Sequence, residues 1–285
     1  MYTYDYICKL NIFKFIDIMK GIIGAIIGNS VGKQYAIKPT TDYNFRMLYD
    51  KSNPGDDSIA IIATADWLMT TNHTADEYID KLHFWCNKYN YGLWHHELST
   101  KFKEWIKEKK REPYNSYGNG SAMRVIPVGF YAKTWEECQE LAETTAKVTH
   151  NHPEGIKGAV AVACVIFGIK HGNTKEEIRQ WIEEEVGYKI KPYDTVKSNH
   201  KYECICQRSV PAALSCWYYG KSFEDVIRKA VSLGGDADTE AAIAGAFACA
   251  SSEMEADDQF AKDLTRFFPM EYMEVLHKFH NQYEQ

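Results

Sequence analysis

The chain has 285 residues, 45 % hydrophobic and 25 % charged, which is ordinary globular usage at a length suited to one or two domains. Its formal net charge of −6 argues against a dedicated nucleic-acid binder, which would normally present a basic face. The eight cysteines are scattered, only Cys204 and Cys206 stand close, and no zinc pattern is present, so a reducing, cytoplasmic setting is expected.

No run reaches the roughly 18–20 apolar residues of a membrane span. Residues 1–18 mix Asp and Lys among aromatics and lack a basic start, an unbroken apolar stretch and a small-residue cleavage site. They read as a dispensable extension, not a signal peptide. One helical domain is expected over residues 19–285.

Helical signals dominate from there on. Residues 19–32 place Ile pairs between small residues, the pattern of a buried helix packed close to its neighbours. Residues 33–55 are polar, contain Pro39, Pro54 and Gly55, and read as a long loop; residues 58–70 read as a buried helix. Capping boxes at Thr74/Glu77, Thr134/Glu137 and Thr174/Glu177, with a weaker one at Ser222/Asp225, mark helix starts. Residues 99–110 form an amphipathic surface helix. Residues 155–170 and 239–250 read as central buried helices, and 186–203 is the least helical stretch. No strand alternation and no internal repeat is visible.

Four segments carry groups suited to chemistry. Asp56 and Asp57 precede an apolar helix. As caps they would offset the helix dipole, but one residue suffices for a cap, and neighbouring carboxylates repel unless a cation lies between them. Asp236-Ala237-Asp238-Thr239 follows Gly234-Gly235 and offers oxygen ligands on one side of a turn, as hard divalent cations prefer. Gly118-Asn119-Gly120-Ser121 has the look of a phosphate cradle but also of a plain glycine turn; Arg124 beyond it reads as a structural ion-pair partner. His150 and His152 with Glu154 match no standard zinc motif and read as hydrogen-bonding or capping residues. Tyr35 and Tyr117 read either as stacking aromatics or as loop anchors.

Taken together and in order, these segments resemble the ADP-ribosylglycohydrolase family, of the dinitrogenase-reductase-activating glycohydrolase type. The likeness starts at Gly21-Ile22-Ile23-Gly24-Ala25-Ile26-Ile27-Gly28 and runs through Asp56-Asp57-Ser58, Gly118 to Arg124, His150 to Gly155 and Ala230 to Thr239. The resemblance implies a compact, orthogonal, all-α single domain and two Mg²⁺ or Mn²⁺ ions per chain. It implies hydrolysis of the bond joining ADP-ribose to an arginine, serine or nucleobase acceptor. Asp56, Asp57, Ser58, Asp236, Asp238 and Thr239 would be metal ligands, with Asp57 and Asp238 also in the catalytic role. Gly118, Asn119, Gly120, Ser121 and His150 would bind substrate. The expected partners are ADP-ribose and an ADP-ribosylated protein or other acceptor. No membrane is expected, nor nucleic acid except as a modified substrate, and the chain is expected to act as a monomer.

Three positions depart from the family pattern. Many members have Thr where this chain has Gly55, and Asp where it has Asn29. Members commonly place a Glu in the loop after the first glycine-rich helix, where Ala36 stands here; no Asp or Glu occurs between Met19 and Asp42. An ADP-ribose-binding relative without turnover is therefore the first alternative. A hydrolase of another small glycoside or nucleotide is the second.

Overall fold

The computed structural model describes residues 20–47, 54–89, 99–251, 254 and 268–283. The extension 1–18 and the expected helix start at Met19 lie outside that set. The first helix, α1 (Lys20–Ala36), runs four residues into the stretch expected to be loop. Lys33 to Ala36 are competent helix formers, and the Gln34 side chain folds back to donate its Nε2 to the Ser30 carbonyl at 3.3 Å. Tyr35 takes the loop-anchor role: its hydroxyl donates to the Arg46 carbonyl (2.8 Å) and its ring meets Phe45 edge-on.

The buried second helix, α2 (Asp56–Leu68), starts at the Asp pair itself; every residue of it is buried except Asp66. Asp66 receives Lys81 and the Trp85 indole from α3 (Ala75–Tyr89). The reciprocal bonds of the Thr74/Glu77 box form at the start of α3. The amphipathic α4 (Thr100–Lys107) follows, then the short α5 (Gly120–Arg124) and α6 (Ile126–Tyr131). The Thr134 hydroxyl caps α7 (Trp135–Lys147) by accepting from the Glu137 amide. The central apolar helix, α8 (Pro153–Lys170), packs against α5, α6 and α7. Its cap is His152, whose Nδ1 accepts from the Glu154 amide.

The full capping box forms at Thr174 for α9 (Lys175–Trp181), which passes into a π-helical turn, Ile182–Val186. The stretch expected to be least helical still holds a short α10 (Tyr193–Asn199), begun behind Pro192, which presets the backbone for a helix start. Then come α11 (Cys206–Tyr218), α12 (Phe223–Val231), α13 (Ala237–Ala250) and α14 (Met270–Tyr283). One isolated antiparallel bridge, Gly118 with Ile205, is the only strand-like pairing among the described residues.

What positions the site is the packing of α13 on α1. Gly24, Gly28 and Gly32 recur every four residues, so they lie on one helix face. A β-carbon at Gly28 would stand 2.0 Å from the Ala241 carbonyl oxygen, and one at Gly32 would stand 2.2 Å from that of Ala237. The two helices therefore meet backbone to backbone, and the start of α13 is held beside the last turns of α1. The loop after α1 then lies on the glycine turn before α13: a β-carbon at Gly234 would meet the Thr41 methyl at 3.2 Å.

Arg124 departs from its expected role. Its guanidinium is buried and donates to the Thr145 carbonyl (2.6 Å) and the Thr149 hydroxyl (2.7 Å), with the Tyr78 ring 5.7 Å away. Neutral oxygens and an aromatic face, not a carboxylate, hold this charge.

Candidate active site

Both aspartate segments are helix starts, and the fold brings the two starts together. Asp56 and Asp57 open α2 behind Gly55, which makes no side-chain cap bond. Asp236 stands at the cap position of α13, again without a side-chain cap bond. At α13, therefore, the carboxylate of the cap residue is not spent on its own helix. The Thr239 hydroxyl joins the two starts, donating to Asp57 Oδ2 at 2.9 Å. All four aspartates and Thr239 are buried.

Burial and mutual repulsion set the electrostatics. Removal from water pushes the Asp57 carboxyl well above its ordinary range; Asp56, Asp238 and Asp236 push further, against the Thr239 hydrogen bond. Asp238 is raised by burial first, then by Asp236 and Asp56, against the hydrogen bond it accepts from the Thr239 amide. The four carboxylates are thus within reach of one another's charge. Among the described residues, however, no three Asp, Glu, His or Cys side chains converge as a finished coordination shell. The electrostatic grouping is the weightier of the two observations, because carboxylates without a counter-charge gain nothing by closing on a point. The donor set, all hard oxygens on two facing helix starts, fits a divalent cation.

Each start is held from behind. The Gly55 amide and the Ser58 hydroxyl both donate to Asn29 Oδ1, at 2.5 and 2.7 Å, so a side chain on α1 fixes the entry to α2. At the other start, Asn119 Nδ2 donates to Asp236 Oδ2 (2.6 Å) and to Ser209 (2.8 Å). Asn119 therefore orients a candidate ligand carboxylate. The Gly118–Ile205 bridge fixes Asn119 in turn: its amide donates to the Cys204 carbonyl, and the Cys206 amide donates to that of Tyr117.

The remaining expected substrate residues divide. The Ser121 hydroxyl is fully buried and donates to the Gly155 carbonyl at 2.8 Å, tying the turn to α8. His150 is nearly buried, and its Nδ1 lies 2.7 Å from the Thr149 hydroxyl. That hydroxyl also accepts from Arg124, so the pair fixes the ring through Nδ1. Burial, aided by the Arg124 charge, holds His150 well below the usual histidine range, so the ring is neutral. β-Carbons at Gly118 and Gly120 would stand 3.5 and 3.4 Å from Nε2, and both are absent, so the glycines leave Nε2 uncovered. Tyr117 is half exposed and tilts over His152, the cap residue of α8. Asp42 is exposed and spends one oxygen on the Asn44 amide within its own loop.

Several neighbours of the site escape a sequence reading. Cys204 sits against Asp236, and burial followed by that charge pushes its thiol up to about 12. Behind the second acidic turn, His200 Nε2 lies 2.8 Å from Glu240 Oε1, with both side chains almost wholly buried. Burial first, against the His200 hydrogen bond, raises Glu240 to about 7. A charged residue inside the small-residue run 239–250 was the available signal; its partner lies 40 residues away and carries none.

An all-helical domain in which two aspartate-bearing helix starts share one acidic centre, beside a glycine turn and a neutral histidine, defines the class. The family model for ADP-ribosylglycohydrolase matches residues 17–266, and the chain belongs to that family. It is 24 % identical to the ADP-ribosylhydrolase ARH3 of Bos taurus, over 82 % of this chain and 84 % of that protein. It is 35 % identical to an uncharacterized protein of Archaeoglobus fulgidus over 147 residues, a match spanning about half of either chain (45 % and 47 %). The ADP-ribosyl-[dinitrogen reductase] glycohydrolase of Rhodospirillum rubrum is 24 % identical over 47 % of this chain and 46 % of that one. In fold, the chain superposes on an ADP-ribosylglycohydrolase-related protein complex with a TM-score of 0.72 at 19 % identity, covering 93 % of this chain and 96 % of the other. No helix among the described residues is long and apolar enough to cross a membrane.

Proposed function

We propose that the chain is a divalent-metal-dependent hydrolase that releases ADP-ribose from an ADP-ribosylated acceptor. The observation that carries this reading is the buried meeting of Asp57 and Asp238 at Thr239, whose hydroxyl donates to Asp57 and whose amide donates to Asp238, with both carboxyls raised. Asp56, Asp57, Asp236, Asp238, Thr239 and Ser58 are the residues that would hold two Mg²⁺ or Mn²⁺ ions. Such ions, when bound, grip vicinal hydroxyls and activate water.

The chain's own residues supply the rest. Asn29 and Asn119 hold the two helix starts at fixed separation. The uncovered Nε2 of His150 hydrogen-bonds a ribose hydroxyl laid over Gly118 and Gly120. Asp57 and Asp238 stabilise positive charge developing at the anomeric carbon as its bond to the acceptor breaks. A water oxygen takes the acceptor's place, and the acceptor leaves with a proton.

The test is release of free ADP-ribose from arginine-, serine- and nucleobase-linked substrates with Mg²⁺, with Mn²⁺ and with chelator. Metal-dependent release is expected and names the acceptor. The partial match to the Rhodospirillum rubrum protein is the reason to include its kind of substrate in that panel. The free thiols among the described residues accord with a cytoplasmic setting, and a monomer is expected in solution.

Ala36, the last residue of α1, favours a second reading, an ADP-ribose-binding relative without turnover, because it offers no carboxylate where the resemblance implies one. Calorimetry with ADP-ribose separates the two: tight binding without release supports this second reading. On the first reading, Ala36→Glu raises turnover if the family's carboxylate acts from this position.

A further inference from the structure

A cavity of about 310 Å³ opens between the 187–200 stretch and the first turns of α11, on the far side of His200 from the acidic turn. Its charged walls are Lys189, Lys191 and Arg208, and no Asp or Glu lines it. In a chain of net charge −6, three cations around one concavity without a carboxylate is a local reversal of sign.

These cations retain binding capacity. Arg208 spends only Nε on Glu203 (2.8 Å), which leaves the terminal guanidinium nitrogens, the pair that grips an oxyanion in parallel. Lys189 is loosely paired with Glu183 at 3.6 Å, and Lys191 has no acidic partner among the described residues. Both Glu203 and Glu183 lie outside the cavity lining. Arg208 also stands in the first turn of α11, where the helix dipole favours an anion. Beside the cations, Thr195, Asn199 and Gln207 offer neutral donors and acceptors. The site therefore matches a ligand that carries an oxyanion and hydroxyl donors together. The volume is at the small end of ligand pockets, suited to one sugar or nucleoside unit with its phosphate.

We propose that this cavity is a second ligand site, distinct from the acidic centre, that binds a small phosphate ester. It borders the candidate active site through His200, which lines the cavity and also bonds Glu240 beneath Asp236 and Asp238. The assignment does not depend on the hydrolase reading, because neither metal nor turnover enters it.

The probe is ribose 5-phosphate, titrated into the full-length, chelator-treated protein and followed by calorimetry. Saturable binding is expected, weakened about tenfold or more in Lys191→Gln/Arg208→Gln, because each substitution removes a charge-assisted hydrogen bond. Both side chains are exposed, so the variant's melting temperature and its hydrolase rate should match wild type. Excess ADP-ribose should leave the binding in place. Absence of saturable binding, undiminished binding by the double variant, or displacement by ADP-ribose would each overturn the proposal. Failure of the hydrolase reading would show instead as absent ADP-ribose release with ribose 5-phosphate binding intact.

Discussion

The two halves of the candidate active site are built on opposite electrostatic terms. The half formed by α2 and α13 gathers four buried aspartates whose charges repel, with two carboxyls held well above their ordinary range. The half formed by the 118–121 turn and His150 is buried too, yet it carries no charge toward the site. Its histidine is neutral, and its one cation, Arg124, donates to a carbonyl and a hydroxyl beside an aromatic ring, its charge helping to keep the histidine neutral. The acidic half is costly without a counter-charge, which a bound cation would supply; the neutral half offers shape and hydrogen bonding.

Breaking the acidic half should give the largest effect. Asp57→Ala and Asp238→Ala each remove a candidate ligand, and metal-dependent ADP-ribose release should fall by more than the roughly 100-fold typical of losing an outer-shell partner. Metal affinity by calorimetry should fall with it. Wild-type turnover in either variant would overturn the assignment of the acidic half. Next in size is Asn119→Ala, which takes the hydrogen bond from Asp236 while leaving every carboxylate in place. It should weaken metal binding and turnover by about 10–100-fold, as outer-shell losses do. An effect confined to KM for substrate would instead place Asn119 with the neutral half.

The same comparison predicts a gain of stability. Because Asp57 and Asp238 hold their protons to higher pH folded than unfolded, their protonation stabilises the fold. That stability is present below the ordinary aspartate value and is lost as pH rises through the raised one. In chelator, the melting temperature should therefore fall as pH rises across that window. Asp57→Asn should melt a few degrees higher than wild type at neutral pH. The ordering should reverse once Mg²⁺ or Mn²⁺ is added. A chelator-treated variant that melts lower than wild type would show that the Asp57 charge is satisfied within the protein itself.

Much of this site is legible in the sequence, for a physical reason. Clustered carboxylates at helix starts are a short-range pattern, so Asp56-Asp57 and Asp236-Ala237-Asp238-Thr239 stand out locally, as do the glycines that let α13 lie on α1. What was hidden is the work of residues that act across the fold. Asn119 reads as part of a phosphate cradle yet its side chain holds an aspartate 117 residues away. Ser121 reads as a substrate contact, and its hydroxyl also ties the turn to α8. Arg124 reads as an ion-pair partner because a buried guanidinium ordinarily needs one, and here two oxygens and a ring suffice.

The departures at Asn29 and Gly55, separate in the sequence, are one feature in space. A β-carbon at residue 55 would stand 2.7 Å from Asn29 Oδ1, the atom that also accepts the Gly55 amide. With φ at −88°, the backbone of Gly55 suits any residue, so the contact with Asn29 and not the turn demands glycine. Gly55→Thr, the family's more usual residue, should cost about 1–3 kcal/mol as an overpacked site does. The same change made beside Asn29→Ala, which removes the obstructing amide, should cost less than in the wild-type background. The measurement is a double-mutant cycle in denaturant, with a coupling of at least about 0.5 kcal/mol expected for side chains in contact. Strict additivity would mean that Asn29 does not hold the entry to α2. Coupling would mean that the Asn29 amide is the clamp that excludes a side chain at Gly55, carried on the helix that also packs against the opposite start.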